Sequence, residues 1–196
     1  MSYTAIFGGT FNPFHIGHYQ MLEALCSLDY IDNVYVMPDK IPPHKEFFPT
    51  VKDEDRIEMC RIMCEKFSKA NLCLVEFERE GKSYSYDTVM YLKNKNPNIN
   101  YIFVCGGDMI NSLHTWYRFD DLKKEIPFLA FSRGDDKIFN KSVKEQCSRG
   151  AEITVIKKEI ADVSSSMLRK DLNKDLLPPE IYDYIKSKGL SYANQL

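Results

Sequence analysis

Residues 3–18, Tyr3-Thr4-Ala5-Ile6-Phe7-Gly8-Gly9-Thr10-Phe11-Asn12-Pro13-Phe14-His15-Ile16-Gly17-His18, decide how this chain is read. A β-type run over residues 3–7 passes straight into a glycine pair, and a helical pattern begins at about His15. Two glycines allow unusual φ and close backbone approach. The helix start adds unpaired N–H groups and a partial positive charge, so the segment is built to receive an anion. His15 and His18 stand three apart and project to one side of the first turn, with Gly17 between them withholding a side chain that would block a ligand. Two histidines at a plain turn are most simply structural, and a metal pair is a further alternative, although no Cys, Asp or Glu cluster stands nearby. The strand, glycine pair and HxGH helix start together favour phosphate.

On the carboxyl side of this segment, short runs rich in Val, Ile, Phe and Tyr recur at residues 34–37, 72–75, 101–105, 128–131 and 153–156. Helical spacing of apolar residues fills the intervals, at 18–28, 53–67, 86–92 and 138–147. This alternation predicts an α/β fold: a single Rossmann-like doubly wound domain over residues 1–196, with a mostly parallel sheet and helices on both faces. Residues 164–174 and 178–187 read as two C-terminal helices, the second announced by Pro178 and Pro179. Ligands of such sheets lie beyond the carboxyl ends of the strands, so the loops to inspect are residues 8–14, 38–52, 106–116 and 132–137.

The 196 residues are 44% hydrophobic and 28% charged, which suits one globular domain, and the formal net charge of -2 gives no global field for nucleic acid. The amino terminus lacks a charged region followed by a long apolar run, and no uncharged apolar stretch approaches the roughly 20 residues of a membrane span. A cytoplasmic protein is expected. Six cysteines, Cys26, Cys60, Cys64, Cys73, Cys105 and Cys147, form no CxxC pair and read as buried thiols in a reducing compartment.

A second phosphate motif follows at Val163-Ser164-Ser165-Ser166-Met167-Leu168-Arg169, where hydroxyls at a helix start precede an arginine one turn on. Alone, such a serine run is usually a plain N-cap. With the first motif it resembles the HxGH nucleotidyltransferases, whose ISSTxxR segment it matches with Val163 for Ile and Ser166 for Thr. The middle of the chain is similar to the bacterial nicotinate mononucleotide adenylyltransferases: Pro42-Pro43-His44-Lys45 resembles their PPHK loop, Ser83-Tyr84-Ser85-Tyr86-Asp87-Thr88 their SYTxDT segment, and Gly106-Gly107-Asp108 through Leu113 and Trp116 their GxDxxxxLxxW segment. Arg56 and residues 178–184 are also in register. Asn12 stands where many relatives carry Asp, and Arg133 lacks the proline and aromatic residue usual after it.

The resemblance implies adenylyl transfer from ATP, with Mg2+, to nicotinic acid mononucleotide. It assigns catalysis to His15, His18, Lys45 and Arg169. ATP would be bound by Gly8, Gly9, Thr10, Phe11, His15, His18, Gly106, Asp108, Arg133, Ser164, Ser165 and Arg169. The acceptor would meet Asn12, Lys45, Tyr84, Ser85, Thr88, Asp108 and Trp116. No protein metal ligand is assigned, because magnesium keeps water and phosphate ligands. ATP and the mononucleotide are the expected partners, without nucleic acid or membrane, and a homo-oligomer stays open. The residues agree independently: an indole after a strand and Gly-rich loop suits stacking on an electron-poor pyridinium, although core packing is an equal reading of a single Trp, and a carboxylate suits ribose hydroxyls. Backbone N–H groups at the helix start near Tyr86, aided by Ser85 or Thr88, are expected to receive the acceptor's ring carboxylate. Pantetheine-phosphate adenylyltransferase and a catalytically silent nucleotide sensor are the alternatives.

Overall fold

The structure, a computed structural model, describes residues 2–41, 51–132 and 136–192. Six strands, β1 (Tyr3–Gly9), β2 (Ile31–Pro38), β3 (Ala70–Leu72), β4 (Tyr101–Gly106), β5 (Phe128–Phe131) and β6 (Ile153–Ile156), pair in the order β3-β2-β1-β4-β5-β6. Every pairing is parallel. The intervening helices are α1 (Ile16–Ser27), α2 (Asp53–Cys64), α3 (Ser85–Lys95), α4 (Gly107–Ser112), α5 (Phe119–Glu125), α6 (Asp136–Ser148), α7 (Ser165–Lys170) and α8 (Pro179–Ser187).

Alternate residues of the central strands enter opposite cores. Ala5 and Phe7 of β1, Ile102 and Val104 of β4 and Leu129 and Phe131 of β5 join one apolar cluster with residues of α1, α2, α7 and α8. Ile6, Tyr101, Phe103, Cys105, Phe128 and Ala130 join the other, with residues of α3, α5 and α6. Both faces of the sheet are therefore covered, as a parallel sheet requires.

The strand order places the topological switch between β1 and β4, where a ligand crevice is expected. Their register pairs Thr4, Ala5 and Ile6 with Tyr101, Ile102 and Phe103 and then stops. Beyond Ile6 and Phe103 the two strand ends, with Gly8-Gly9 on one and Gly106 on the other, part company. That divergence opens the crevice in which both sequence motifs meet.

Several expectations are corrected. The third strand ends at Leu72, because the run at 72–75 turns out of the sheet after one backbone bond from the Cys73 N–H to Val36 O. Residues 106–116, read as a loop, fold as α4 followed by a short 3-10 turn at Leu113–Thr115, too brief to show a helical period. α2 stops at Cys64, and the first C-terminal helix ends at Lys170 rather than Lys174, followed by a 3-10 turn at Lys174–Leu176. α5 was not anticipated. Cys60, Cys64 and Cys105 are buried, but Cys26 and Cys73 are only half-buried and Cys147 is exposed. Burial pushes the Cys26 thiol up to about 11 and Cys64 to about 12, so both stay protonated and unreactive. Among the described residues no helix is long and apolar enough to cross a membrane.

Candidate active site

The loop after β1 is folded by its aromatic residues. Phe11 takes a left-handed φ of 47°, unusual for a bulky residue, and its ring is held by burial: it stacks on Phe14 at 5.0 Å and meets Phe7 edge-on at 5.4 Å. Gly9 permits this, since a Cβ there would lie 3.2 Å from the Phe11 ring. The Asn12–Pro13 peptide is cis.

Three carbonyls of this loop are taken by side chains from elsewhere in the chain. Arg56 of α2, 0% exposed, donates through one guanidinium nitrogen to Thr10 O at 2.8 Å and through the other to Asp53 Oδ1 at 2.6 Å. Arg169 of α7 donates to Asn12 O at 2.9 Å, and Ser165 Oγ donates to Pro13 O at 3.0 Å. A trans peptide is planar, so holding the Thr10 and Pro13 carbonyls turns the N–H groups of Phe11 and Phe14 the opposite way. Asn12 itself is 3% exposed, so its side chain is enclosed by the loop rather than offered at its surface.

His15 is the N-cap of α1, and the two histidines close a reciprocal box. The His18 N–H donates to His15 Nδ1, and the His15 N–H donates to His18 Nδ1, each at 3.3 Å. The rings stack at 3.6 Å with an interplanar angle of 17°. Accepting at Nδ1 assigns the proton of each neutral ring to Nε2, so both rings carry an Nε2–H donor. The helix thus fixes two imidazole tautomers without any carboxylate. Gly17 has a different task from the one its position suggests. A Cβ there would meet Ala161 O at 3.2 Å and the His15 ring at 3.3 Å, so the space it leaves is filled by protein.

The serine run divides its work. Ser164 caps α7 by accepting from the Met167 N–H at 3.2 Å, Ser165 holds the β1 loop, and Ser166 accepts from Arg169 at 2.8 Å. Arg169 is half-buried, and burial lowers its pKa from the usual arginine value. It carries more N–H donors than its two bonds use.

Across the crevice, Gly106 ends β4 and Asp108 is exposed in the first turn of α4. A Cβ at Gly106 would lie 2.9 Å from the Asp108 carboxylate, so this carboxylate closes over the strand end. Trp116 is partly buried and packs edge-on against Phe103 at 5.6 Å. Tyr117, 46% exposed, lies 4.5 Å from the Tyr84 ring, and the Arg118 guanidinium sits 4.1 Å over Tyr86. α3 has no side-chain cap at Tyr84, so its first N–H groups, at Ser85 and beyond, are not covered by a capping side chain. Thr88 is 2% exposed and is committed inward, donating to Glu76 and accepting from Arg79. Its hydroxyl is thereby engaged in a buried network with Glu76 and Arg79.

Lys45, in the PPHK loop, and Arg133 lie outside the described residues. Arg56 is the residue whose task sequence reasoning missed: its partner is a backbone oxygen 46 positions away, which leaves no sequence signature. Among the described residues, no group of three or more His, Cys, Asp or Glu side chains is placed to hold a metal ion.

This site can be set beside known proteins. The cytidylyltransferase-like family model matches residues 6–171. The chain is 35% identical over 190 residues to a probable nicotinate-nucleotide adenylyltransferase of Lactococcus lactis, covering 94% of this chain and 93% of the relative. It is 34% identical to a protein of the same description from Halalkalibacterium halodurans, covering 100% and 94%. Its fold matches that of Plasmodium falciparum nicotinic acid mononucleotide adenylyltransferase complexed with NaAD, with a TM-score of 0.78, 24% identity and 98% of each chain covered.

Proposed function

The chain belongs to the cytidylyltransferase-like family, and within it to the nicotinate-nucleotide adenylyltransferases, and from that premise we propose how its crevice works. The enzyme transfers the adenylyl group of ATP to nicotinic acid mononucleotide, giving nicotinic acid adenine dinucleotide and pyrophosphate, a step of NAD biosynthesis. The acceptor's 5′-phosphate oxygen forms a bond to the α-phosphorus as the bond from that phosphorus to the bridging oxygen breaks, and pyrophosphate leaves. No enzyme-bound intermediate is needed, so positioning and charge stabilisation carry the rate.

The observation that carries this reading is the pair of stacked histidines whose Nδ1 atoms are occupied by the helix backbone. We assign to the phosphates of ATP the Nε2–H of the partly exposed His18 ring, that of the buried His15 ring stacked on it, the N–H groups of the β1 loop and the further donors of Arg169. Lys45 and Arg133 add charge, Thr10 adds a neutral donor, and Ser165, whose one O–H is donated to Pro13 O, serves ATP by holding the loop. Mg2+ brought in with ATP would supply charge neutralisation, and since no group of three or more His, Cys, Asp or Glu among the described residues is placed to hold it, His15, His18 and Arg169 would carry the protein's share of that task. The acceptor's pyridine ring lies against Trp116, beside the touching rings of Tyr84 and Tyr117, its ribose on Asp108, and its carboxylate on the uncapped first turn of α3. We place the reaction in the cytoplasm.

The test supplies ATP, magnesium and a panel of phosphorylated acceptors, including pantetheine phosphate and the amide mononucleotide, and identifies the product by mass. Nicotinic acid adenine dinucleotide as the main product supports the reading. Turnover only with another acceptor overturns the acceptor assignment, and ATP binding without any product overturns the enzyme.

A further inference from the structure

The most costly group near the crevice is one that the mechanism does not use. Arg56 is 0% exposed, and moving a guanidinium out of water is expensive even when it is paired. Filling a gap under a loop needs only an apolar side chain, and such replacements are often neutral or stabilising. What an apolar side chain lacks is the fork. One arm of Arg56 is tied to Asp53 one turn earlier on α2, at 2.6 Å, and this fixes the direction of the other arm, which donates to Thr10 O at 2.8 Å. The helix that carries the fork is itself anchored, because Asp55 accepts from Tyr184 Oη of α8 at 2.8 Å. The Arg56 guanidinium also faces the Phe77 ring at 6.0 Å.

We infer that Arg56 is a positioning residue for the phosphates of ATP, acting through the Thr10 carbonyl and never touching the nucleotide. With that carbonyl held toward α2, the planar Thr10–Phe11 peptide keeps the Phe11 N–H on the opposite side of the loop, as a donor to a phosphate oxygen. Phe11 is also the residue held at a φ of 47°, a conformation in which a bulky residue does not rest unaided. Without the fork, the peptide is free to rotate and present its carbonyl oxygen to the triphosphate, converting a donor into a repelling acceptor. Ser165 acts in the same sense on the Pro13 carbonyl, and Arg169 on the Asn12 carbonyl while keeping further donors for ATP. Arg56 alone of the three is wholly buried, which separates positioning from contact.

This inference rests on the reading that the β1 loop binds ATP, and the test separates the two. Binding of α,β-methylene-ATP is measured by calorimetry without acceptor, and initial rates are measured with each substrate varied, for the parent, Arg56→Met, Arg56→Lys and Asp53→Asn. The parent should bind the analogue; if it does not, the ATP reading itself fails. Arg56→Met should lose about 10²-fold in kcat/KM for ATP, as for other small misplacements of a positioned group, with the acceptor KM within about twofold. Arg56→Lys should recover part of that loss, since an ammonium can still donate to Thr10 O. Melting curves accompany each variant. If Arg56→Met fails to fold, Asp53→Asn decides. That side chain is 37% exposed, so its change loosens the fork with little cost to the core, and a loss of about threefold or more confined to ATP is expected. Folded variants with unchanged ATP parameters, or with the acceptor KM raised as much as the KM and the analogue Kd for ATP, overturn the inference.

Discussion

The two walls of the crevice are built on different principles. On the β1 side the main chain is tied down: three loop carbonyls are held by Arg56, Ser165 and Arg169, and both histidine rings are fixed by main-chain N–H groups. On the β4 side the surfaces are aromatic and open, with Tyr117 half exposed, Trp116 resting on Phe103 and the first turn of α3 uncapped. The first wall is pre-set for charge that develops during the reaction, where reorganisation would slow the step. The second, on the proposed assignment, receives a flat, weakly polar ring, for which area and stacking suffice. Changes on the β1 wall should therefore appear in kcat, and changes on the β4 wall in acceptor KM and selectivity.

The strongest way to break this contrast is His18→Ala. Loss of a donor aimed at the reacting phosphate should lower kcat by about 10² or more while ATP binding weakens far less. Stopped-flow or steady-state rates check it, and a variant as active as its parent would remove His18 from the mechanism.

Next is the choice between acid and amide acceptors. The uncapped N–H groups of α3 suit a carboxylate, whereas a carboxamide sets its own N–H₂ against them, leaving donors unpaired at about 1 to 3 kcal/mol each. The acid should be preferred by about tenfold or more in kcat/KM. Equal efficiencies under identical magnesium and salt would show that the β4 wall reads ring shape alone.

Trp116 should give a smaller effect. It is the only tryptophan, so its emission reports the site directly, and saturating mononucleotide should quench it. Trp116→Ala should weaken acceptor binding by about 1 to 2 kcal/mol, with kcat with saturating substrates changing little. Emission indifferent to the acceptor would return the indole to a purely packing role against Phe103.

The smallest effect on catalysis is expected at Thr88. Replacing it with Val leaves Glu76 short of a buried donor, so stability should fall by about 1 to 3 kcal/mol, read as a lower melting temperature. Acceptor KM should move little. A large rise in acceptor KM without loss of stability would restore the direct contact that the sequence suggested.

How much of this was readable in advance follows the same divide. The parallel sheet was legible because strands buried on both faces are continuous apolar runs, and the β1 loop was legible because glycines and a helix start impose their conformations locally. The His15 cap and the Ser164 cap lie three residues from their partners, within reach of pattern reading. Arg56 and Ser165 act on backbone oxygens 46 and 152 positions away, and no residue type marks a carbonyl that needs a donor. The buried bond of Thr88 was illegible for a related reason: its partner Glu76 sits in an irregular turn whose path only the fold defines. α4 was missed because six residues beginning with glycine show no period.

The histidine box carries one last consequence. In a hydrolase triad the group that orients the imidazole is a carboxylate side chain, which mutagenesis can delete. Here the orienting group of each ring is a peptide N–H of the other residue, and every substitution except proline preserves it. Alanine at either position removes one donor and leaves the tautomer of the survivor intact, so side-chain scanning is blind to this layer of control. An amide-to-ester replacement at residue 15 or residue 18, introduced by chemical ligation, deletes the orienting proton while leaving both side chains in place, and it would expose how much of the rate is owed to the main chain.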